Sequence, residues 1–519
     1  MSANIDIWPE RVNRKGQSRV AKTRVVITGA GMGGLAAAIH LASKGAEVTV
    51  CERAPTPGGK MRQVSVGGAM IDAGPTVLTL KGVFESLFDD AGETLSHHVR
   101  LLPCSTLARH AWSESARLDL HADRAASADA IARFAGPSEA ARYLGFCRDA
   151  ARTWRALEGP FIRQPHPSLK RLLLSSGASG WWALGRANPF ASMWRALGRH
   201  FRDARLQQLF GRYATYCGSS PFHAPATLTL VAHVEQSGVW LVEGGMYRLA
   251  EAMAELAERQ GATLRLSTEI RSVDAPRGHV RGVTLASGEQ LPAEAVILNA
   301  DASGVAAGLL GVAAAQAVTL PPRRERSLSA VTWNLVARTK GLALHRHTVF
   351  FSRDYKAEFD ALFERREVPP DPTVYVCAQD RGDEPGPSPD EPERLLCLVN
   401  APADGDTPGR DPARAARSEA AAFAQLERCG LQVERDPRSM HVTTPHDFEG
   451  RFPGSGGALY GMASHGWRSA FQRPGCRTRL PGLYLAGGSA HPGPGVPMAA
   501  LSGRMAAEAV LSDLASTRR

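Results

Sequence analysis

Three glycines and an acid carry the first chemistry visible in this chain. Gly29, Gly31 and Gly34 stand at G-x-G-x-x-G spacing, with Met32 and Gly33 between them, and Glu52 follows at the distance of a ribose-binding acid. Each residue type has a task in dinucleotide binding. The first glycine permits a tight turn, the second lets backbone approach a pyrophosphate, and the third lets a helix pack closely on a strand. The start of that helix offers unpaired N–H groups and the positive end of its dipole to phosphate. A carboxylate at Glu52 holds a ribose hydroxyl.

Other small-residue turns point to the same ligand. Behind Glu52 and Arg53 comes Gly58-Gly59-Lys60-Met61-Arg62, a hook that places Lys60 or Arg62 near phosphate. Gly74-Pro75-Thr76 closes a short strand, Gly244-Gly245-Met246 opens a helix, and Gly487-Gly488 begins a long turn that runs through Gly495-Val496-Pro497-Met498. Ile270, at the start of one strand, and Asn299 and Asp301, at the end of another, are assigned to the same surface. A nicotinamide coenzyme has no need of the central and C-terminal turns. A flavin dinucleotide does, because its ring system lies far from its adenine, so the cofactor expected is non-covalent FAD.

The elements that must position these residues follow from periodicity. A strand at 25–27, a helix at 35–44 stopped by Gly45, and a strand at 47–50 make the first unit. Residues 77–225 lack regular β/α alternation and read as mostly helical, with helices at 127–134, 138–157 and 168–200. There Trp181, Trp182, Phe190 and Trp194 interleave with Lys170, Arg171, Arg186, Arg195 and Arg199, a mixture that suits either a membrane interface or a helical cap with inward aromatics. A helix at 247–260 and strands at 263–266, 270–274, 280–286 and 296–298 return to the first sheet. Strands at 330–337, 348–352, 373–378 and 395–400 with a helix at 413–428 form a substrate wall, and 380–393 is a surface loop. A strand at 483–486 and a helix at 499–511 complete the chain. The divisions expected are a disordered lead-in (1–22), a dinucleotide domain in parts (23–80, 226–322, which also holds the start of the substrate domain, and 471–519), a mostly helical cap and membrane-contact region (81–225) and an α+β substrate region (323–470).

Composition bounds the rest. With 519 residues, 44% hydrophobic and 22% charged, the chain can bury a large core. Its net charge of +10 is scattered, without a basic tail, which argues against nucleic acid and fits either an anionic membrane surface or plain solubility. The eight cysteines show no Cys-x-x-Cys pair or zinc spacing and, with no secretory leader in view, are expected as buried free thiols. His345 and His347 share a strand face but lack a third ligand, so no metal is assigned. No run approaches the roughly 18 apolar residues of a spanning helix.

The motifs at 29–34, 57–61, 238–246 and 487–498 resemble those of bacterial carotenoid desaturases, the phytoene-desaturase-like branch of the FAD-dependent amine-oxidase fold, over residues 23–514. Segments 224–227, 231–235, 239–249 and 372–381 are most similar to the desaturases that act on 1-hydroxycarotenoids at C3–C4. Ser489-Ala490-His491-Pro492-Gly493 stands where phytoene desaturases carry Thr-His-Pro-Gly, and Gly488-Ser489 replaces the Gly-Asp pair many flavoproteins place near the ribityl chain. The resemblance implies an α/β fold with a discontinuous Rossmann-like FAD domain, an α+β substrate domain and a helical cap. It implies removal of two hydrogens beside a hydroxylated polyene, in a cytoplasmic enzyme peripheral to a photosynthetic bacterium's inner membrane. Its partners are then a long carotenoid and the bilayer surface. A hydride leaving to the flavin makes the neighbouring C–H acidic, so no dedicated base is required; His233, Glu235 and His491 are the residues that could serve as one. A phytoene or neurosporene desaturase, an amine oxidase and a flavin-free prenyl-lipid chaperone remain alternatives.

Overall fold

The β-branched run at the front of the chain becomes the middle of a parallel sheet. Five short strands, β1 (Arg24–Thr28), β2 (Glu47–Cys51), β3 (Thr263–Arg265), β4 (Ala295–Leu298) and β5 (Leu483–Leu485), pair in the order β5-β4-β1-β2-β3, every neighbour parallel. A parallel sheet is covered on both faces, which explains the near-continuous apolar sequence of β1, β4 and β5. Val25 and Ile27 join the core under three helices, α1 (Met32–Ser43), α2 (Tyr247–Arg259) and α3 (Val496–Thr517). Val26 points the other way, with Val296 and Leu298, into a core shared with the antiparallel strands Ile270–Asp274, Gly282–Leu285 and Gln290–Pro292. The computed structural model describes residues 23–175, 185, 188–321, 325–383, 386–388, 391–407 and 412–517. The expected lead-in at 1–22, Trp181, Trp182 and Arg186 lie outside them.

A second, seven-stranded sheet runs Met440–Thr443, Ser329–Ala337, Glu393–Ala401, Val374–Ala378, His347–Phe350, Thr106–Ala111, Arg117–His121, antiparallel except between His347–Phe350 and Thr106–Ala111. Its side chains divide by the two-residue period of a strand. Val331, Trp333, Val376, Cys397 and Val399 pack against Ala422, Phe423 and Leu426 of the helix Pro412–Arg428. The alternate residues Thr332, Tyr375, Leu396 and Leu398 face a cavity.

The helical layer rests on this sheet. Asp123 caps the helix Arg124–Ala135 by accepting the Ala126 N–H at 2.8 Å, and Pro137 opens the helix Pro137–Leu157. Phe146, Phe201 and Phe210 form its centre, and Met193 is fully buried.

Several expectations need correction. The stretch read as mostly helical contains the strands Leu101–Pro103, Thr106–Ala111 and Arg117–His121. The helix expected over 168–200 is broken: one helix covers Leu169–Ser175, and a turn at 188–192 precedes another over Met193–His200. Strands 270–274 and 282–285 build their own sheet instead of joining the parallel one. His345 precedes the strand that His347 begins, and its ring faces Asp119 at 3.6 Å. The α3 helix starts at Val496, three residues earlier than its apolar pattern suggests, because Pro497 is well suited to a first turn. Seven cysteines are buried, Cys217 is half-buried, and all eight are free. Among the described residues no helix is long and apolar enough to cross a membrane.

Candidate active site

The cavity begins at the first glycine turn. Gly29 adopts φ +86° and its N–H donates to the Cys51 carbonyl at 2.7 Å, which carries the β1–β2 pairing into the turn. Gly31 takes the N-cap position of α1 with no side chain to cap it, so the first N–H groups of the helix are left for a ligand. A Cβ at Gly34 would stand 2.0 Å from the Gly29 carbonyl oxygen, so only glycine lets helix and turn touch. Asn299, at the end of β4, donates from Nδ2 to that carbonyl at 3.1 Å and so ties the turn to the neighbouring strand.

Glu52 lies at the end of β2. Its Oε2 accepts the Ala30 N–H at 2.7 Å and its Oε1 accepts the Ala54 N–H at 2.8 Å. Each carboxylate oxygen has about two acceptor positions, so each keeps one for a ribose hydroxyl.

The hook behind it folds back onto the turn, with the Gly58 N–H donating to the Ala30 carbonyl at 2.8 Å. Lys60 donates from Nζ to the Leu459 carbonyl at 2.6 Å; burial lowers its pKa, and Asp301 works against that shift. Arg62 donates from Nη2 to Thr443 Oγ1 at 3.1 Å and leaves its Nη1 without a partner among the described residues. A Cβ at Gly74 would meet the Lys60 carbonyl oxygen at 1.9 Å. Thr76 Oγ1 and Tyr375 Oη lie 2.7 Å apart.

The C-terminal turn closes the same surface. A Cβ at Gly33 would stand 2.8 Å from the Gly487 nitrogen, so the first and last glycine turns are in direct contact. The buried Arg473 holds this turn by donating to the carbonyls of Met462 (2.7 Å), Tyr460 (3.1 Å) and Gly488 (3.3 Å). Ser489 Oγ accepts the Ala302 N–H at 3.0 Å, so it ties strand ends together.

All these segments border one cavity of about 1080 Å³. Of the residues assigned to a cofactor from sequence, Gly29, Gly31, Met32, Gly33, Glu52, Arg53, Gly58, Gly59, Lys60, Met61, Arg62, Gly74, Pro75, Thr76, Ile270, Asn299, Asp301, Gly487, Gly488, Gly495, Val496, Pro497 and Met498 line it. Gly34 and Gly245 do not. Gly34 packs the helix against the turn. Gly245 makes room for Asp72, whose Oδ2 would lie 2.6 Å from a Cβ there and accepts the Met246 N–H at 2.6 Å. The donor set fits a dinucleotide: an open helix start, a carboxylate with spare acceptor positions, an unpartnered guanidinium N–H and close backbone turns where a Cβ at Gly33, Gly58, Gly74 or Gly487 would clash.

Beyond these turns the wall becomes apolar. Trp154, Leu157, Phe161, Leu230, Val231 and Val234 come from the helical layer and face Leu396 and Leu398 of the large sheet. Buried polar groups interrupt this stretch. Glu235 Oε1 accepts the Tyr216 hydroxyl at 3.1 Å, and its Oε2 accepts that of Tyr213. Arg212 donates from Nη2 to Tyr216 Oη at 2.8 Å. Glu358 accepts from Ser352 Oγ (2.6 Å), Thr373 Oγ1 (2.7 Å) and the Thr373 N–H (3.0 Å); burial pushes its pKa up to about 7 against these bonds.

Of the three residues that could act as a base, only Glu235 lines the cavity. His491 Nε2 is 3.0 Å from the Phe161 carbonyl, its ring stands edge-on to Phe161, and burial lowers its pKa to about 4. His233 lies behind the wall with its ring 6.3 Å from that of Trp154. Arg212, Tyr216, Glu358 and Arg473 escaped sequence reasoning. Each looks like an ordinary polar residue in its own stretch of sequence, and its burial is decided by the packing of sheet and helices that no local pattern shows.

Residues 32–511 match the family described as flavin containing amine oxidoreductase. The chain is 52% identical to a hydroxyneurosporene desaturase of Rubrivivax gelatinosus, covering 96% of this chain and 94% of that one. It is 44% identical to a hydroxyneurosporene desaturase of Cereibacter sphaeroides (96% and 99%) and 32% identical to a phytoene desaturase of Neurospora crassa (94% and 84%). Among solved structures, a putrescine oxidase with putrescine bound has a TM-score of 0.58 at 15% identity, covering 95% of this chain and 99% of that one. At that identity the likeness is one of fold.

Proposed function

Because the chain belongs to the flavin containing amine oxidoreductase family, we propose that it binds FAD without a covalent link and desaturates an acyclic 1-hydroxycarotenoid at the C3–C4 bond. The observation that carries this reading is the continuity of one cavity from the dinucleotide cradle to a long apolar wall. When bound, FAD would supply the acceptor for one hydride, which carries both electrons away from a C–H of that bond, while the neighbouring carbon gives up its hydrogen to solvent as a proton.

The protein's own residues bind, orient and exclude water. Glu52, the α1 start and Arg62 hold the dinucleotide. The Gly487–Gly488 and Gly495–Met498 turns bring backbone close to a flat ring. Trp154, Leu157 and Leu398 register a polyene beside it, so that the reacting bond is presented in one orientation. Chemistry of this kind needs no strong base, and the sequestered His491 agrees with that.

The substrate dissolves in lipid, which gives the outer end of the cavity its role. Leu169 and Phe190 line it there and remain 41% and 74% exposed, while Leu174, on the same helix as Leu169, is 78% exposed. Exposed apolar side chains beside Lys170 and Arg468 suit contact with the interface of an anionic bilayer. We assign the protein to peripheral attachment on this side.

The test is spectroscopic. Purified protein should carry the absorption of oxidised flavin, which bleaches when a 1-hydroxylated acyclic carotenoid is added without another acceptor. The carotenoid bands should move to longer wavelength as the conjugated system lengthens. Reaction with phytoene alone would overturn the substrate assignment, and protein that takes up no flavin would overturn the enzyme.

A further inference from the structure

We propose that Arg212, Tyr216 and Glu235 receive the substrate's hydroxyl group and thereby set the choice of hydroxylated over plain carotenoids. The proposal rests on the desaturase reading above. A cavity meant only for a hydrocarbon has no use for a charged pair in its wall, because buried charges lose their hydration and gain nothing from an apolar guest. Here all three residues line the cavity, with Arg212 and Glu235 7% and 5% exposed.

The hydrogen bonding leaves room for one more hydroxyl. Glu235 accepts one hydroxyl on each oxygen, from Tyr216 and Tyr213, and retains an acceptor position on each. Arg212 holds Tyr216 through its Nη2 and lies over the Tyr216 ring at 5.0 Å, while its Nε has no partner among the described residues. A hydroxyl is both donor and acceptor, so it can donate to Glu235 and accept from the Tyr216 or Arg212 side of the cluster.

Position agrees with chemistry. A hydroxyl on C1 is separated from C3 by one carbon, so whatever receives it must stand close to the bond being oxidised. Tyr216, Tyr375 and Thr76 all line the cavity, and Tyr375 Oη is 2.7 Å from Thr76 Oγ1 in the segment assigned to the cofactor. On this proposal the cluster takes the hydroxylated end of the substrate and leaves the apolar walls for the rest of the polyene.

The experiment uses flavin-loaded full-length enzyme and two acyclic carotenoids that differ only in the 1-hydroxyl, and reads the ratio of their kcat/KM values. Sites that hydrogen-bond a substrate hydroxyl reject the analogue that lacks it strongly, so the unaltered enzyme should favour the hydroxylated carotenoid by roughly 100-fold or more. Glu235→Gln should lower the ratio by at least about tenfold. Tyr216→Phe keeps the ring against Arg212, frees one oxygen of Glu235 and should lower the ratio as well; it decides the matter if Glu235→Gln does not retain flavin. An unchanged ratio in flavin-loaded variants, or an unaltered enzyme indifferent to the hydroxyl, overturns the proposal and leaves desaturation standing. Failure of the unaltered, flavin-loaded enzyme to convert either carotenoid refutes the desaturase reading itself.

Discussion

Glu52 and Glu358 show how differently two carboxylates can be used in one cavity. Glu52 braces the backbone at Ala30 and Ala54 and offers its remaining lone pairs to a ligand. Glu52→Ala removes a charged hydrogen-bond acceptor, a loss of about 1.5–3 kcal/mol, so FAD affinity should fall roughly 10- to 100-fold in a fluorescence titration of the apoprotein. Glu358 is buried, and its pKa is raised from 4.5 to about 7 by loss of solvent. Between those values the folded protein holds a proton that the unfolded chain has released. Stability is therefore greatest below pH 4.5 for this group and declines as pH rises toward 7, by on the order of 3 kcal/mol. Glu358→Gln should flatten that part of a Tm-against-pH profile. Glu52 was legible from sequence because its partners are a local turn and its spacing is fixed by one βαβ unit. Glu358 was not, because it stands among other charged residues, Lys356, Asp360 and Glu364, and looks like one more surface acid until Ser352 and Thr373 are seen to enclose it.

At the scale of elements, Asp72 joins what the chain separates. Its carboxylate accepts the Met246 N–H at the start of α2, and its carbonyl accepts from Asn334 Nδ2 at 3.0 Å and Gln379 Nε2 at 2.8 Å in the large sheet. Asp72→Ala leaves the buried helix start without its acceptor and should cost about 2–4 kcal/mol, read from urea unfolding. Gly34→Ala should abolish flavin retention, since the added methyl overlaps the Gly29 carbonyl. The glycine turns and the strands of the parallel sheet could be read directly, because apolar runs bounded by glycine have few other readings. The strand Thr106–Ala111 could not. Its sequence TLARHA does not alternate cleanly, and its Arg109 is held by Asp119 on the neighbouring strand and by the Ala343 carbonyl, brought in from far along the chain. Gly245 misled for the converse reason: its glycine pair resembles a ligand turn but serves the approach of Asp72.

For the molecule as a whole, the end of the cavity bordered by the glycine turns was written in local motifs, and the apolar end was not, since it is assembled from two sheets and a helical layer. The apolar rim makes a prediction that belongs to this scale. Replacing Phe190 and Leu174 together with aspartate should weaken co-sedimentation with anionic vesicles by tenfold or more, given roughly 1.5–3 kcal/mol for each apolar side chain withdrawn from water. Flavin content should not change. The order β5-β4-β1-β2-β3 has a further consequence during synthesis. The turn at Gly29 leaves the ribosome early, yet it contacts Gly487, which is made more than four hundred residues later. At about 5–20 residues per second, the nascent chain carries an unfinished nucleotide cradle for tens of seconds. On the proposed reading a chain that has not yet reached Gly487 cannot hold the dinucleotide, so a product terminated before that turn should be released empty and open to proteolysis.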